Sequence, residues 1–165
     1  MCAKVLILTN FVETQIGGEI MENKNVFHER LTELMIEKGV NTVSLAAAIG
    51  VSDETVRRWK NGERDILLSQ LVKLADYFQC SLDFLTGRSD SVLDYQVSEM
   101  PPFYDSLRAV MKEKGVTRYR LVKDLPIYDG YFTNWKKGKS PNILTLILLA
   151  DYLDVTIDYL VGRER

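Results

Sequence analysis

Residues 45–62 read LAAAIGVSDETVRRWKNG, and their order of apolar, turn and charged residues decides the fold. An apolar Leu45-Ala46 pair at helical spacing runs into Gly50-Val51-Ser52, a turn whose serine is a good N-cap for a following helix. At about 100° per residue, Val56 and Trp59 share one side of that helix, which must be the core side because they are its large apolar residues. Glu54, Arg57, Arg58 and Asn61 then share the opposite side, and Gly62 stops the helix. The tryptophan is therefore an anchor, and the arginines are what the anchored helix offers outward.

Outward from this stretch the chain repeats itself. FHERLTELMIEKGV (27–40) laid over FYDSLRAVMKEKGV (103–116) matches Phe27 with Phe103, Leu31 with Leu107, Met35 with Met111, and the whole Glu-Lys-Gly-Val ending. The register holds through Leu45/Leu121, Trp59/Trp135, Lys60/Lys136 and Gly62/Gly138, then slips by one before LADYF (74–78) meets LADYL (149–153). Both copies close on an Asp-aromatic-Leu-x-Gly-Arg signature, Asp83 to Arg88 and Asp158 to Arg163. Two long copies indicate two homologous domains, since a solenoid needs at least about three stacked units.

Each copy reads as five short helices with no strand alternation. In the first, Phe27, Leu31, Leu34 and Met35 recur at helical spacing up to Gly39. A second helix is expected from Thr42 or Val43 to Ile49, a third to Asn61-Gly62, a fourth over Ser69 to Phe78, and a last one capped by Ser81. The expected organisation is an N-terminal arm over 1–25, a domain over 26–88, a linker over 89–102 and a second domain over 103–165. The arm reads as an added strand, a frayed or disordered segment, or a start-site artefact, the last with Met21 as the natural start. The linker, SDSVLDYQVSEMPP, carries serines, acids and Pro101-Pro102, with Val92, Tyr95 and Val97 leaving room for a short extended piece.

Composition excludes several function classes. The 165 residues are 46% hydrophobic and 27% charged, with formal net charge -2, so any nucleic-acid footprint must be local. Cys2 and Cys80 lack metal-ligand spacing, which fits a reducing cytoplasm, and Cys80 reads as a small core residue where the second copy has Val155. His28 stands alone, and neither a phosphate-cradling glycine loop nor a nucleophile with its base is present, so neither a metal nor an enzyme is expected. The run Val5-Leu6-Ile7-Leu8 is too short to span a membrane, and no secretion is expected.

A short helix packed by its apolar side after a Gly-Val-Ser turn resembles the Cro/repressor-type (XRE-like) helix-turn-helix family, whose second helix enters the major groove. LADYFQCSLDFLTGR (74–88) is similar to that family's closing helices, and YRLVKDLPIYDGYFTNWKKGKSPNILTLILLADYLDVTIDYLVGR (119–163) resembles the same domain again. The resemblance implies an all-α protein of two tandem five-helix, lambda-repressor-like DNA-binding domains joined by a short linker. It further implies a sequence-specific, cytoplasmic transcriptional regulator of a bacterium or its phage, a repressor acting by operator occupancy on double-stranded DNA without a cofactor.

Carried over by position, the base-reading places fall on Asp53, Glu54, Thr55, Arg57 and Arg58, and then on Asp129, Gly130, Tyr131, Thr133 and Asn134. Thr42 and Asn61 match phosphate-touching positions; Lys137 takes the place of Asn61, with Arg118, Lys136 and Lys139 in the same basic cluster. Residues 26–88 carry 8 bases and 9 acids, residues 103–165 carry 11 bases and 8 acids, so the second copy has the better phosphate surface and the first the better guanine readers. Pro126, Val122 and Tyr128 replace Gly50, Ala46 and Ser52, so the second turn is expected to be angled differently.

The rival reading is a protein-interaction module, an antitoxin, antirepressor or adaptor that keeps the fold; acidic net charge and the altered second turn support it. The fourteen-residue linker reaches at most roughly 46–50 Å, enough for two third helices to sit one DNA turn apart. It is equally compatible with domains that pack together, or with a second domain that forms a homodimer.

Overall fold

The computed structural model describes residues 26–92 and 99–164. The readings of the arm over 1–25 and of Tyr95 and Val97 lie outside the described residues; Val92 is exposed and in no strand.

Among the described residues the chain is all-α. Helix α1 covers 26–38. It is followed by α2 (Thr42–Ile49), α3 (Asp53–Asn61), α4 (Leu68–Phe78) and α5 (Leu82–Leu85). The second copy has α6 (Phe103–Lys114), α7 (Arg118–Asp124), α8 (Asp129–Lys136), α9 (Ile143–Leu153) and α10 (Ile157–Val161). No helix among them is long and apolar enough to cross a membrane.

Capping explains most boundaries. Asn41, Ser52 and Ser81 each accept from the backbone N–H three residues on, and Thr117, Asn142 and Thr156 do the same in the second copy. The fourth helix starts at Leu68, one residue earlier than its sequence predicts.

The two turns differ as expected, for an identifiable reason. Gly50 is left-handed at φ +73, and Val51 N–H closes onto Ala46 C=O at 3.0 Å. Proline at 126 forbids that: the residue before a proline is pushed to extended backbone, and Leu125 sits at φ -114, ψ 152. Helix α7 therefore stops at Asp124, and Ile127 N–H donates to Leu125 C=O at 2.7 Å across the proline.

In each copy the core gathers on the third helix. Val56 and Trp59 are fully buried, as are Leu31, Leu45 and Leu71 of the same cluster. Phe132 and Trp135 take their places in the second copy, where Trp135 meets Phe103 edge-on at 5.3 Å. Cys80 is 1% exposed, and burial pushes its thiol up to about 12, so it serves as an apolar core group.

Far from being tethered independently, the copies pack on each other, α4 against α9 and α5 against α10. Most polar contacts between them recur with the partners exchanged, the bond from Arg88 to Val155 C=O at 3.2 Å standing without a counterpart among the described contacts. Leu68 N–H donates to Pro141 C=O at 2.8 Å, and Ile143 N–H to Ile66 C=O at 2.9 Å, flanking an isolated antiparallel bridge between Leu67 and Asn142. The backbone N–H of Asp83 donates to the Asp158 carboxylate at 3.2 Å, and that of Asp158 to the Asp83 carboxylate at 3.2 Å. Arg88 reaches Asp151 at 2.7 Å, and Arg163 reaches Asp76 at 2.8 Å. This reciprocity is that of a two-fold interface, here closed within one chain.

Asp158 is fully buried at this interface. Burial, and then the hydrogen bond shared with the Asp83 side chain, push its carboxyl from an ordinary 3.8 up to about 7, against the opposing effect of the backbone N–H donors and of Arg163. Between about pH 4 and pH 7 the folded protein then holds a proton that the unfolded chain has lost, so this group's contribution to stability falls as pH rises through that window. Thermal melts taken from pH 4 to pH 8 should show that slope flattened in Asp158→Asn; an unchanged slope would assign it to another group.

Candidate functional site

The candidate site is the outer flank of the two third helices, each held by the apolar residues on its other side. On α3 the side chains of Glu54, Arg57 and Arg58 are half exposed or more, and Asn61 is exposed at the last turn. Thr55 does not join them. It is buried, and its hydroxyl lies 2.8 Å from the Ser52 hydroxyl, so it completes the N-cap of α3 instead of facing outward as the resemblance implied. The reason is helical phase: Thr55 precedes Val56 and follows the cap, on the inner edge of the first turn.

Both arginines are held by acids one turn back. Arg57 Nη2 lies 2.6 Å from Asp53 Oδ2, and Arg58 Nε lies 2.9 Å from Glu54 Oε1. Exposed pairs at this spacing contribute only about 0.3–0.5 kcal/mol, so they pre-orient the guanidinium groups along the helix and give way to a stronger acceptor. Asn61 Nδ2 donates to Glu63 Oε1 at 3.2 Å. Thr42, at the start of α2, is half-buried.

The second copy presents different chemistry. Asp129, Gly130, Tyr131 and Thr133 are exposed on α8, and Asn134 is half-buried. The positions of Arg57 and Arg58 are taken by Thr133 and Asn134, so this flank has no guanidinium of its own. Arg118, expected in the basic cluster, is instead tied to the start of α8: Nε lies 2.6 Å from Asp129 Oδ1, and the guanidinium sits 4.9 Å over the Phe132 ring. Arg120 is likewise paired with Asp124 at 2.8 Å. Lys136, Lys137 and Lys139 are exposed and have no ion-pair partner among the described residues. They, with the exposed Lys123 of α7, are cations left available.

Tyr119 and Tyr128 are 75% and 74% exposed beside this flank, and neither was assigned to the site from sequence. Their signal was an aromatic residue at an outward position, where the first copy has Val43 and Ser52. Tyr128 meets Tyr131 edge-on at 5.8 Å, and Tyr131 in turn leans on Trp135 at 5.8 Å.

The two N-caps predict an asymmetry. Ser52 accepts from Thr55 N–H at 3.2 Å, whereas Tyr128 makes no side-chain cap. Ser52→Ala should cost about 1 kcal/mol in denaturant unfolding, and Tyr128→Ala well under that for want of a cap to lose.

The family model of the Cro/C1-type HTH DNA-binding domain matches the chain twice, over residues 30–86 and 106–164. No curated protein and no solved structure matches it.

Proposed function

Because the chain belongs, in both its halves, to the Cro/C1-type helix-turn-helix DNA-binding family, we propose that it is a sequence-specific transcriptional regulator of a bacterium or its phage, a cytoplasmic repressor that acts by occupying its operator. One observation carries the reading: each third helix buries a tryptophan and leaves its opposite flank polar and exposed, which is what a helix laid in the major groove requires.

In this reading Arg57 and Arg58 exchange their intrahelical acids for the O6 and N7 acceptors of guanine. Glu54 either accepts from cytosine N4 or penalises wrong sites by repelling phosphate, and Asp53 stands beside it among the base-reading places. On α8, Asn134 addresses adenine, while Tyr131 and Thr133 offer apolar contact to a thymine methyl, beside Asp129 and Gly130. Lys136, Lys137, Lys139, Asn61 and Thr42 grip phosphate, which fixes register without reading sequence. No cofactor enters.

The rival, a protein-binding module on the same fold, draws on the exposed Tyr119 and Tyr128 and on the net charge of -2. Salt separates the two, because each neutralised phosphate releases counterions and steepens the fall of affinity with ionic strength. Duplex binding that falls steeply with salt supports the DNA reading; indifference to every duplex at low salt favours the rival.

Arg57→Ala should lower specific binding by about 1–3 kcal/mol and relax preference at one base pair, while Lys137→Ala should weaken all duplexes alike and reduce the salt slope by about 1. Fluorescence anisotropy titrations on matched and mismatched duplexes at several salt concentrations measure both effects.

A further inference from the structure

The two flanks are joined by an interface that one chain completes alone, and they are chemically unlike. Residue pairs 67/142, 83/158, 76/151 and 88/163 exchange places across the contact, each pair 75 apart in sequence, so a two-fold rotation carries α3 onto α8. Such a rotation leaves the axial component of any direction unchanged, so whatever component along the axis one outer flank has, the other shares.

Chain length sets an upper limit on how far apart they lie. Six residue steps lead from the end of α3 at Asn61 to the bridge at Leu67, and six from the end of α8 at Lys136 to Asn142. Six extended residues span at most about 20–22 Å, so each helix end lies within that distance of the axis. Half of one DNA turn, about 17 Å, falls inside that reach.

A homodimer with this interface would place two identical helices on the DNA and read a palindrome. This chain places two different ones. On one side stand Arg57 and Arg58, held by Asp53 and Glu54; on the other stand Thr133, Asn134 and Tyr131, backed by Lys136, Lys137 and Lys139. The interface is also occupied: Asp83 and Asp158 are buried in it, so the same patch is not open to a second copy.

Building on the function proposed above, we infer that a single chain binds one non-palindromic operator in one orientation, with α3 on a half-site bearing guanine·cytosine pairs and α8 on a half-site bearing adenine·thymine pairs one helical turn away. The first half supplies the stronger base contacts, and the second, with its free lysines, the stronger phosphate grip.

The test is selection of bound sequences from random duplex DNA with the full chain, followed by native mass spectrometry of the complex. The expected motif has two dissimilar halves about 10–10.5 base pairs apart, with one chain per duplex. Arg57→Ala should relax the first half alone and Asn134→Ala the second alone, each lowering affinity roughly 5- to 150-fold, the range of one good bidentate contact. Both residues lie on the outer flank, away from the core, and circular dichroism checks that the variants fold. A palindromic motif, two chains per duplex, or both variants relaxing the same half would overturn the inference while leaving DNA binding intact. Failure to enrich any duplex at low salt would instead sink the proposed function beneath it.

Discussion

Burial of two indole rings holds the outward-facing helices in place. Helices of nine and eight residues have almost no stability of their own in water, where nucleation alone outweighs the bonds such a short segment gains. What keeps α3 and α8 formed is that Trp59 and Trp135, with Val56 and Phe132, are sunk in the two halves of the core. Among the described residues the indole Nε1 of Trp59 meets no hydrogen-bond partner, so apolar burial accounts for its position. Anchoring from one side leaves the other free to be polar without any cost to the fold.

The second constraint is the interface, and it is polar where the cores are not. Two backbone pairs, two buried aspartates and two arginines that each bridge a near and a far carboxylate satisfy one another across the two-fold. Burying carboxylates is expensive unless they are paired, and such networks contribute more to a unique arrangement than to net stability. The arginine pairs also fix orientation, because each reaches across to an acid on the other copy's fourth helix. A rigid relation between α3 and α8 follows, and with it a fixed spacing that a free tether would not provide.

Within that symmetric frame the two copies have diverged where the fold tolerates it. The proline at 126 shortens α7 and replaces a left-handed glycine turn, yet the third helix after it still buries its tryptophan. The outer flank lies outside the core, so the positions that carry arginines on one copy carry threonine and asparagine on the other.

Much of this is local and therefore legible in the sequence. The repeat, the ten helices, the Ser52 cap and the inward Val56 and Trp59 depend on helical period and on residues three or four apart, and the sequence states them directly. The pairing of Arg57 with Asp53 and of Arg58 with Glu54 is also present in the sequence as a spacing of four. Thr55 turning into its cap, and Arg118 folding over Phe132 onto Asp129, depend on how side chains close in three dimensions. The closing signature Asp83 to Arg88 shows most clearly where local reading ends. Its recurrence at Asp158 to Arg163 was visible, but that each copy's aspartate accepts from the other's backbone is a relation between residues 75 apart. No period encodes such a contact: it exists only once both bundles have folded and met, so the tertiary structure alone decided that the two domains form one two-fold body.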